Sequence, residues 1–200
     1  MAELDAGISR EKAFALLAEH NKEEFHIEHA ETVEGVMRYF AEEIDPNNVE
    51  FWGIVGLLHD LDWEEYPTLE DHTVKAATLI EQASGSKELI AAIQSHSPWG
   101  AGNSRRPELE MEKVLYATDE LTGLIGAAIK MRPSGSVMDF TTKSLKKKFK
   151  DKSFAAGCSR DIIAEGADML GWELNDLFTR TIEAMQSFAP DKDTFQSVES

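Results

Sequence analysis

A single cysteine, Cys158, serves the whole 200-residue chain. No internal disulfide is therefore possible, and a cytoplasmic setting is the simplest expectation. Long apolar runs are missing as well. The strongest, Phe51-Trp52-Gly53-Ile54-Val55-Gly56-Leu57-Leu58, ends in His59-Asp60 and falls far short of the roughly 20 residues that cross a bilayer. The opening Met1-Ala2-Glu3-Leu4-Asp5 has neither the positive n-region nor the apolar h-region of a secretory signal. Alternating apolar and polar positions of the kind that make strands are nearly absent, and there is no internal repeat or domain linker. Positive charge is scarce: 20 Lys and Arg against 37 Asp and Glu give a net −17. That balance argues against DNA or an anionic membrane as partner.

What is present is a chain of ordinary globular composition, 42% hydrophobic and 28% charged, long enough to bury a real core. Its periodicity predicts helices throughout: from an N-cap at Ser9 to His20, Glu23 to Ile44, Asn48 to Asp60, a segment after Pro67-Thr68 ending near Ser84-Gly85, and Lys87 to His96. A loop over 97–107 follows. Further helices are expected over Pro107 to Met131, Lys143 to Lys150, Ser159 to Leu170 and Glu173 to Phe188. The expectation is one all-α domain over residues 1–190, with a frayed tail at 191–200.

The basic residues are unevenly spread. Between Lys130 and Arg160 stand nine of them against two acids, Asp139 and Asp151, for +7, while the rest of the chain carries −24. A basic island on an acidic protein suggests a local anion site, although lysine is also the commonest of surface residues.

The informative residues are polar ones on apolar faces. His29 shares a helix face with Val33, Val36 and Phe40; His72 with Ala76, Leu79 and Ala83; His96 with Ile93, Ala92 and Leu89; Asp119 with Leu115, Thr122, Gly123 and Gly126. His59-Asp60 closes the most apolar helix. A lone inward histidine is more often a satisfied core residue than a ligand, but an inward aspartate is costly to bury unpaired. Four imidazoles and two carboxylates, expected on five converging helices, are the donor set of a dinuclear metal site, with one carboxylate able to bridge. His20 is expected to meet the free carbonyls at the end of the first helix, and His26, one turn before His29, to flank the site.

Together these residues resemble the HD-domain superfamily of metal-dependent phosphohydrolases. The order His29, His59-Asp60, Asp119 matches its ligand pattern, and Gly56-Leu57-Leu58-His59-Asp60-Leu61-Asp62 looks like its core signature, over about residues 25–125. A small bacterial subgroup is similar at His59-Asp60-Leu61-Asp62-Trp63-Glu64-Glu65-Tyr66-Pro67, at Asp119-Glu120-Leu121-Thr122-Gly123, and through Phe154-Ala155-Ala156 to Arg160. Most members carry glycine at the position of Asp62, and many dinuclear ones carry paired histidines where this chain has His96-Ser97.

The resemblance implies an HD helical bundle in which His29, His59, Asp60 and Asp119 bind one divalent ion, with His72 and His96 adding a second across Asp60. Fe, Mn, Mg, Ni, Co and Zn are not distinguished by these donors. It implies hydrolysis of a phosphate ester in a nucleotide or other small phosphorylated metabolite, an activated hydroxide attacking phosphorus. Asp62, Glu64 or Glu65 are candidates for orienting that water or protonating the leaving oxygen. Arg132, Lys148, Lys152 and Arg160 are candidates for binding the phosphate. Two other readings share the ligand set: a di-iron oxygenase of a small polyol or phosphonate, and a non-catalytic metal- or nucleotide-binding sensor. Trp63 and Trp99 flank ligands and are expected near the pocket; Cys158 is expected to be a small buried residue.

Overall fold

The computed structural model describes residues 3–97 and 103–189, so Trp99 and the tail at 191–200 lie outside the described residues. All regular elements among the described residues are helical, as the sequence periodicity predicts. The order is α1 (Arg10–His20), α2 (Glu24–Ile44), a 3-10 turn (Pro46–Asn48), α3 (Val49–Leu58), α4 (Val74–Gln82), α5 (Lys87–Gln94), α6 (Glu110–Lys130), α7 (Thr142–Lys150), α8 (Arg160–Leu170) and α9 (Leu174–Phe188). The chain divides into two compact units, Met1–Tyr116 and Ala117–Ser200, and α6 runs through the boundary.

In the first unit α3 is buried along Phe51–Leu58 and packs against α1, α2 and α5. A helix apolar on every face can only sit in a core. Its approach to α2 depends on Gly56: a Cβ there would lie 2.8 Å from the Val33 carbonyl oxygen and 2.9 Å from Met37 Cγ. Buried Glu34 receives Arg10 Nη2 and Arg38 Nη2, each at 2.9 Å, and so ties α1 to α2. Asn21, just past α1, donates through Nδ2 to the Leu61 carbonyl at 3.0 Å, tying α1 to the turn that follows α3. Ser9 caps α1 by accepting from Lys12 N, and Ser86 caps α5 by accepting from Leu89 N.

In the second unit α9 packs against α7 and α8. Gly166 lets α8 approach α6, since a Cβ would fall 2.5 Å from Ala117 Cα. The loop before α8 is gathered by Arg160. Its guanidinium donates to the carbonyls of Ala155 and Cys158 (2.7 Å each), Asp151 (3.1 Å), Lys148 (3.3 Å), Phe149 (3.4 Å) and Phe154.

Several positions differ from the sequence expectation. The apolar helix ends at Leu58 rather than Asp60, and α5 ends at Gln94 rather than His96. The helix expected after Pro67-Thr68 begins only at Val74, so His72 precedes it in a turn. Thr73 explains the late start: its φ of 64° is left-handed, and a helix cannot extend back through it. Of the six expected ligands, only His29 and Asp119 therefore stand within helices. Gly126, expected to admit close helix packing, has no described atom within 4 Å of the Cβ it lacks, whereas Gly123 faces Cys158 Sγ at 3.3 Å.

Candidate metal centre

The site in the first unit is built at helix ends. His59 is the C-cap of α3, and its Nδ1 donates to the Gly56 carbonyl at 2.7 Å. His96 follows α5, and its Nδ1 donates to the Ile93 carbonyl at 2.6 Å. A carbonyl can only accept, so each ring carries a proton on Nδ1, and in its neutral form it presents a lone pair on Nε2. His72 reaches the same state by another route, its Nδ1 donating to Asp62 Oδ1 at 2.9 Å.

The Nε2 atoms converge on Asp60. His29 Nε2 and His59 Nε2 lie 3.2 Å apart, and they stand 3.7 and 3.3 Å from Asp60 Oδ2. His72 Nε2 and His96 Nε2 lie 3.1 Å apart, and they stand 3.5 and 3.4 Å from Asp60 Oδ1. Two donor triangles thus share one carboxylate, each using a different oxygen. Where two neutral rings turn lone pairs toward each other, as His72 and His96 do when both carry the proton on Nδ1, they repel unless a cation sits beside both. The edges suit that arrangement: two nitrogens about 2.1 Å from one ion are roughly 3.0 Å apart at a right angle and about 3.4 Å at the tetrahedral angle. Imidazole and carboxylate donors together suit Zn, Fe, Mn, Co and Ni. Both triangles fall within groups whose ligand atoms all lie within 4.8 Å of one another.

Asp60 is the open side of the cluster. Its side chain is 28% exposed, against 0, 6 and 3% for His59, His72 and His96. Burial works against its charge, yet the charge and hydrogen bond of His59, with His96 and His72, outweigh this and hold the carboxyl well below the usual range. Burial likewise works to lower His72, and the Asp62 hydrogen bond with the charges of Asp60 and Asp62 more than reverses it, raising the imidazole.

The acids after Asp60 are occupied. Asp62 is fully buried, with Oδ1 on His72 and Oδ2 accepting from Ala76 N at 2.7 Å. A carboxylate shut away from solvent between two N–H donors has no route to a substrate proton, which corrects the acid–base role expected for Asp62. Glu64 accepts from the backbone N–H groups of Lys22 (3.0 Å) and Glu23 (3.1 Å), and its Oε2 lies 2.9 Å from His26 Nδ1. His20 ends α1 with Nδ1 3.2 Å from Glu65 Oε2. All six histidines of the chain thus have a ring nitrogen within 3.7 Å of a carboxylate from residues 60–65. Periodicity had no means of showing this, because the acids lie in a turn. Trp63 meets His72 edge-on, ring centroids 4.8 Å apart, and Phe25, which the sequence did not single out, stacks on His29 at 6.4 Å.

The remaining candidates belong to the second unit. Asp119 lies on α6, one turn after buried Leu115. The Arg160 guanidinium is spent on backbone carbonyls, so the phosphate-binding role expected of it is replaced by a structural one. Lys148 Nζ rests over the Phe154 ring at 4.1 Å, and Lys152 is exposed. Arg132 donates to Asp139 Oδ2 at 2.8 Å, while its buried Nε has no hydrogen-bond partner among the described residues. A cavity of about 450 Å³ is lined instead by Thr142, Lys143, Lys146, Lys147 and Lys150. Their i, i+3, i+4, i+7 spacing from Lys143 was legible in the sequence as one helix face. Cys158 is half-buried, and burial, with Glu120 and Asp119, pushes its thiol up to about 11.

Residues 26–124 match the family model of the HD domain. The chain belongs to the HD-domain superfamily. No curated protein and no solved structure matches it. HD domains bind divalent metals and are typical of metal-dependent phosphohydrolases, and the His and Asp clusters of this one fit that role.

Proposed function

We propose that this chain is a metal-dependent hydrolase of phosphate esters, acting on a nucleotide or another small phosphorylated metabolite, with two divalent ions joined through Asp60. The observation that carries the reading is the pair of donor triangles meeting on opposite oxygens of one carboxylate. His29 and His59 serve the first ion, with Asp119 as a further ligand by the family pattern; His72 and His96 serve the second. Bound there, divalent cations supply a Lewis acid for a phosphoryl oxygen and a water nucleophile at neutral pH.

The residues contribute orientation and charge. The Gly56 and Ile93 carbonyls hold His59 and His96 by Nδ1–H, with Nε2 turned inward. The exposed flank of Asp60 leaves the cluster approachable from solvent, where a phosphate would meet it. Arg132, whose buried Nε–H has no partner among the described residues, and Lys148 and Lys152 are assigned to the substrate anion. The test is phosphate release from a panel of nucleotides and sugar phosphates, with the protein loaded in turn with Mn²⁺, Co²⁺, Zn²⁺ and Fe²⁺. Release that Asp60→Asn abolishes is expected. No release with any ion, or oxygen consumption by the iron form alone, contradicts it.

A further inference from the structure

We propose that Asp62 is a positioning residue whose task is to fix the tautomer of His72, and that the second metal position exists only because of it. The inference rests on reading Asp60, His72 and His96 as a metal site.

The need for Asp62 follows from where the three histidines sit on their helices. His59 and His96 stand at C-terminal ends, where backbone carbonyls are free, and each finds its Nδ1 acceptor three residues back, at Gly56 and Ile93. His72 stands before a helix. An N-terminus offers free N–H donors rather than free carbonyls, and the acceptor that His72 Nδ1 finds is the Asp62 carboxylate. Thr73, the N-cap of α4, makes no side-chain cap bond, so the helix also lacks its usual acceptor. Asp62 answers both wants from the preceding turn, taking His72 Nδ1–H on Oδ1 at 2.9 Å and Ala76 N–H on Oδ2 at 2.7 Å.

Its burial shows how closely the arrangement is specified. The Asp62 side chain is 0% exposed, and a carboxylate in that position is tolerated only when donors surround it. The positive end of α4 contributes one such environment and His72 the other. Between them Thr73 is held at φ 64°, an uncommon conformation for a β-branched residue, with Oγ1 accepting from Asn103 Nδ2 at 3.0 Å. Asp62 spans this bend and aims the imidazole across it at Asp60 and His96. Glycine, which most members of the family resemblance carry here, can do neither task.

Asp62→Asn separates the tautomer from the packing. Ala76 N–H can only donate, so the Asn oxygen stays with it, and the amide N–H falls to His72 Nδ1. That nitrogen must then accept, the proton moves to Nε2, and it points at His96 Nε2, 3.1 Å away. The variant keeps every hydrogen bond and folds, but the metal-facing lone pair of His72 is gone. The experiment counts Co²⁺ per chain in wild type, Asp62→Asn and Glu64→Gln, and reads His72 ¹⁵N shifts in the metal-free forms. The expected result is two ions in wild type and Glu64→Gln, and one in Asp62→Asn, with the second bound at least about tenfold more weakly. His72 changes from Nδ1–H to Nε2–H. Two ions of unchanged affinity in Asp62→Asn, or an unchanged His72 tautomer, overturns the proposal and leaves the dinuclear reading standing. A fall to one ion in Glu64→Gln as well overturns it too, by showing that the loss follows from loosening the turn. At most one ion in wild type removes the second site and the proposal together.

Discussion

Gly56→Ala tests how closely α2 and α3 must approach for the metal cluster to form. The added Cβ would sit 2.8 Å from the Val33 carbonyl oxygen, 2.9 Å from Met37 Cγ and 3.0 Å from Glu34 Cα. Ordinary contact begins near 3.4 Å, so the helices must part by about 0.6 Å against backbone that cannot fold away. Overpacking of this kind costs about 1–3 kcal/mol. Alanine returns about 1 kcal/mol through its better helix propensity. The net expectation is a loss of up to about 2 kcal/mol, a fall in melting temperature of up to about 8 °C for a chain of this size. The same displacement opens the 3.2 Å His29–His59 separation, which bridges these two helices, while the 3.1 Å His72–His96 separation rests on other elements. Calorimetry of the metal-free protein, followed by metal titration, reads both effects. An unchanged or raised melting temperature together with wild-type affinity at both positions would refute the packing argument.

Three further outcomes are expected. Arg160→Lys replaces a planar fork that binds six carbonyls with a point charge, so the urea midpoint should fall by the equivalent of about 2 kcal/mol, and a wild-type midpoint would contradict the clamp. Cys158, with its thiol near 11, should react with a disulfide reagent at pH 8 at about a thousandth of its fully ionised rate, and equal rates in native and urea-unfolded protein would show otherwise. Glu64 is held below the usual glutamate range, chiefly by the Lys22 backbone N–H, against burial, with Glu23 and His26 assisting. A depressed carboxyl contributes stability above its unfolded pKa and loses it as pH falls through the folded one. The stability gap between wild type and Glu64→Gln should therefore be full at pH 7 and shrink below about pH 4.5; a gap independent of pH argues against the assignment.

The helical plan was legible because apolar periodicity and caps are local. Ser9 capped α1 as expected, and the run 51–58 became the buried α3. The ligand histidines were legible by residue type and by resemblance, but not by placement. His72 looked helical because Ala76, Leu79 and Ala83 follow it at helical offsets, and the offsets contain nothing about the left-handed Thr73 that stops the helix. The acids 62–65 looked like a catalytic cluster because they adjoin His59-Asp60. Their partners, His72, His26 and His20, are 10 to 45 residues away in the chain, a pairing set by tertiary structure alone. Arg160 looked like an anion binder because nothing in the sequence shows a loop turning its carbonyls inward.

The proposed dinuclear centre requires Asp60 to join two metal positions. Metal content per chain, measured on wild type and on the His72→Ala, His96→Ala double variant after reconstitution with the same divalent ion, tests it most directly. Two ions in wild type and one in the double variant are expected, the first retained by His29, His59 and Asp60. A wild type that binds none, or a count unchanged by the double variant, would contradict it.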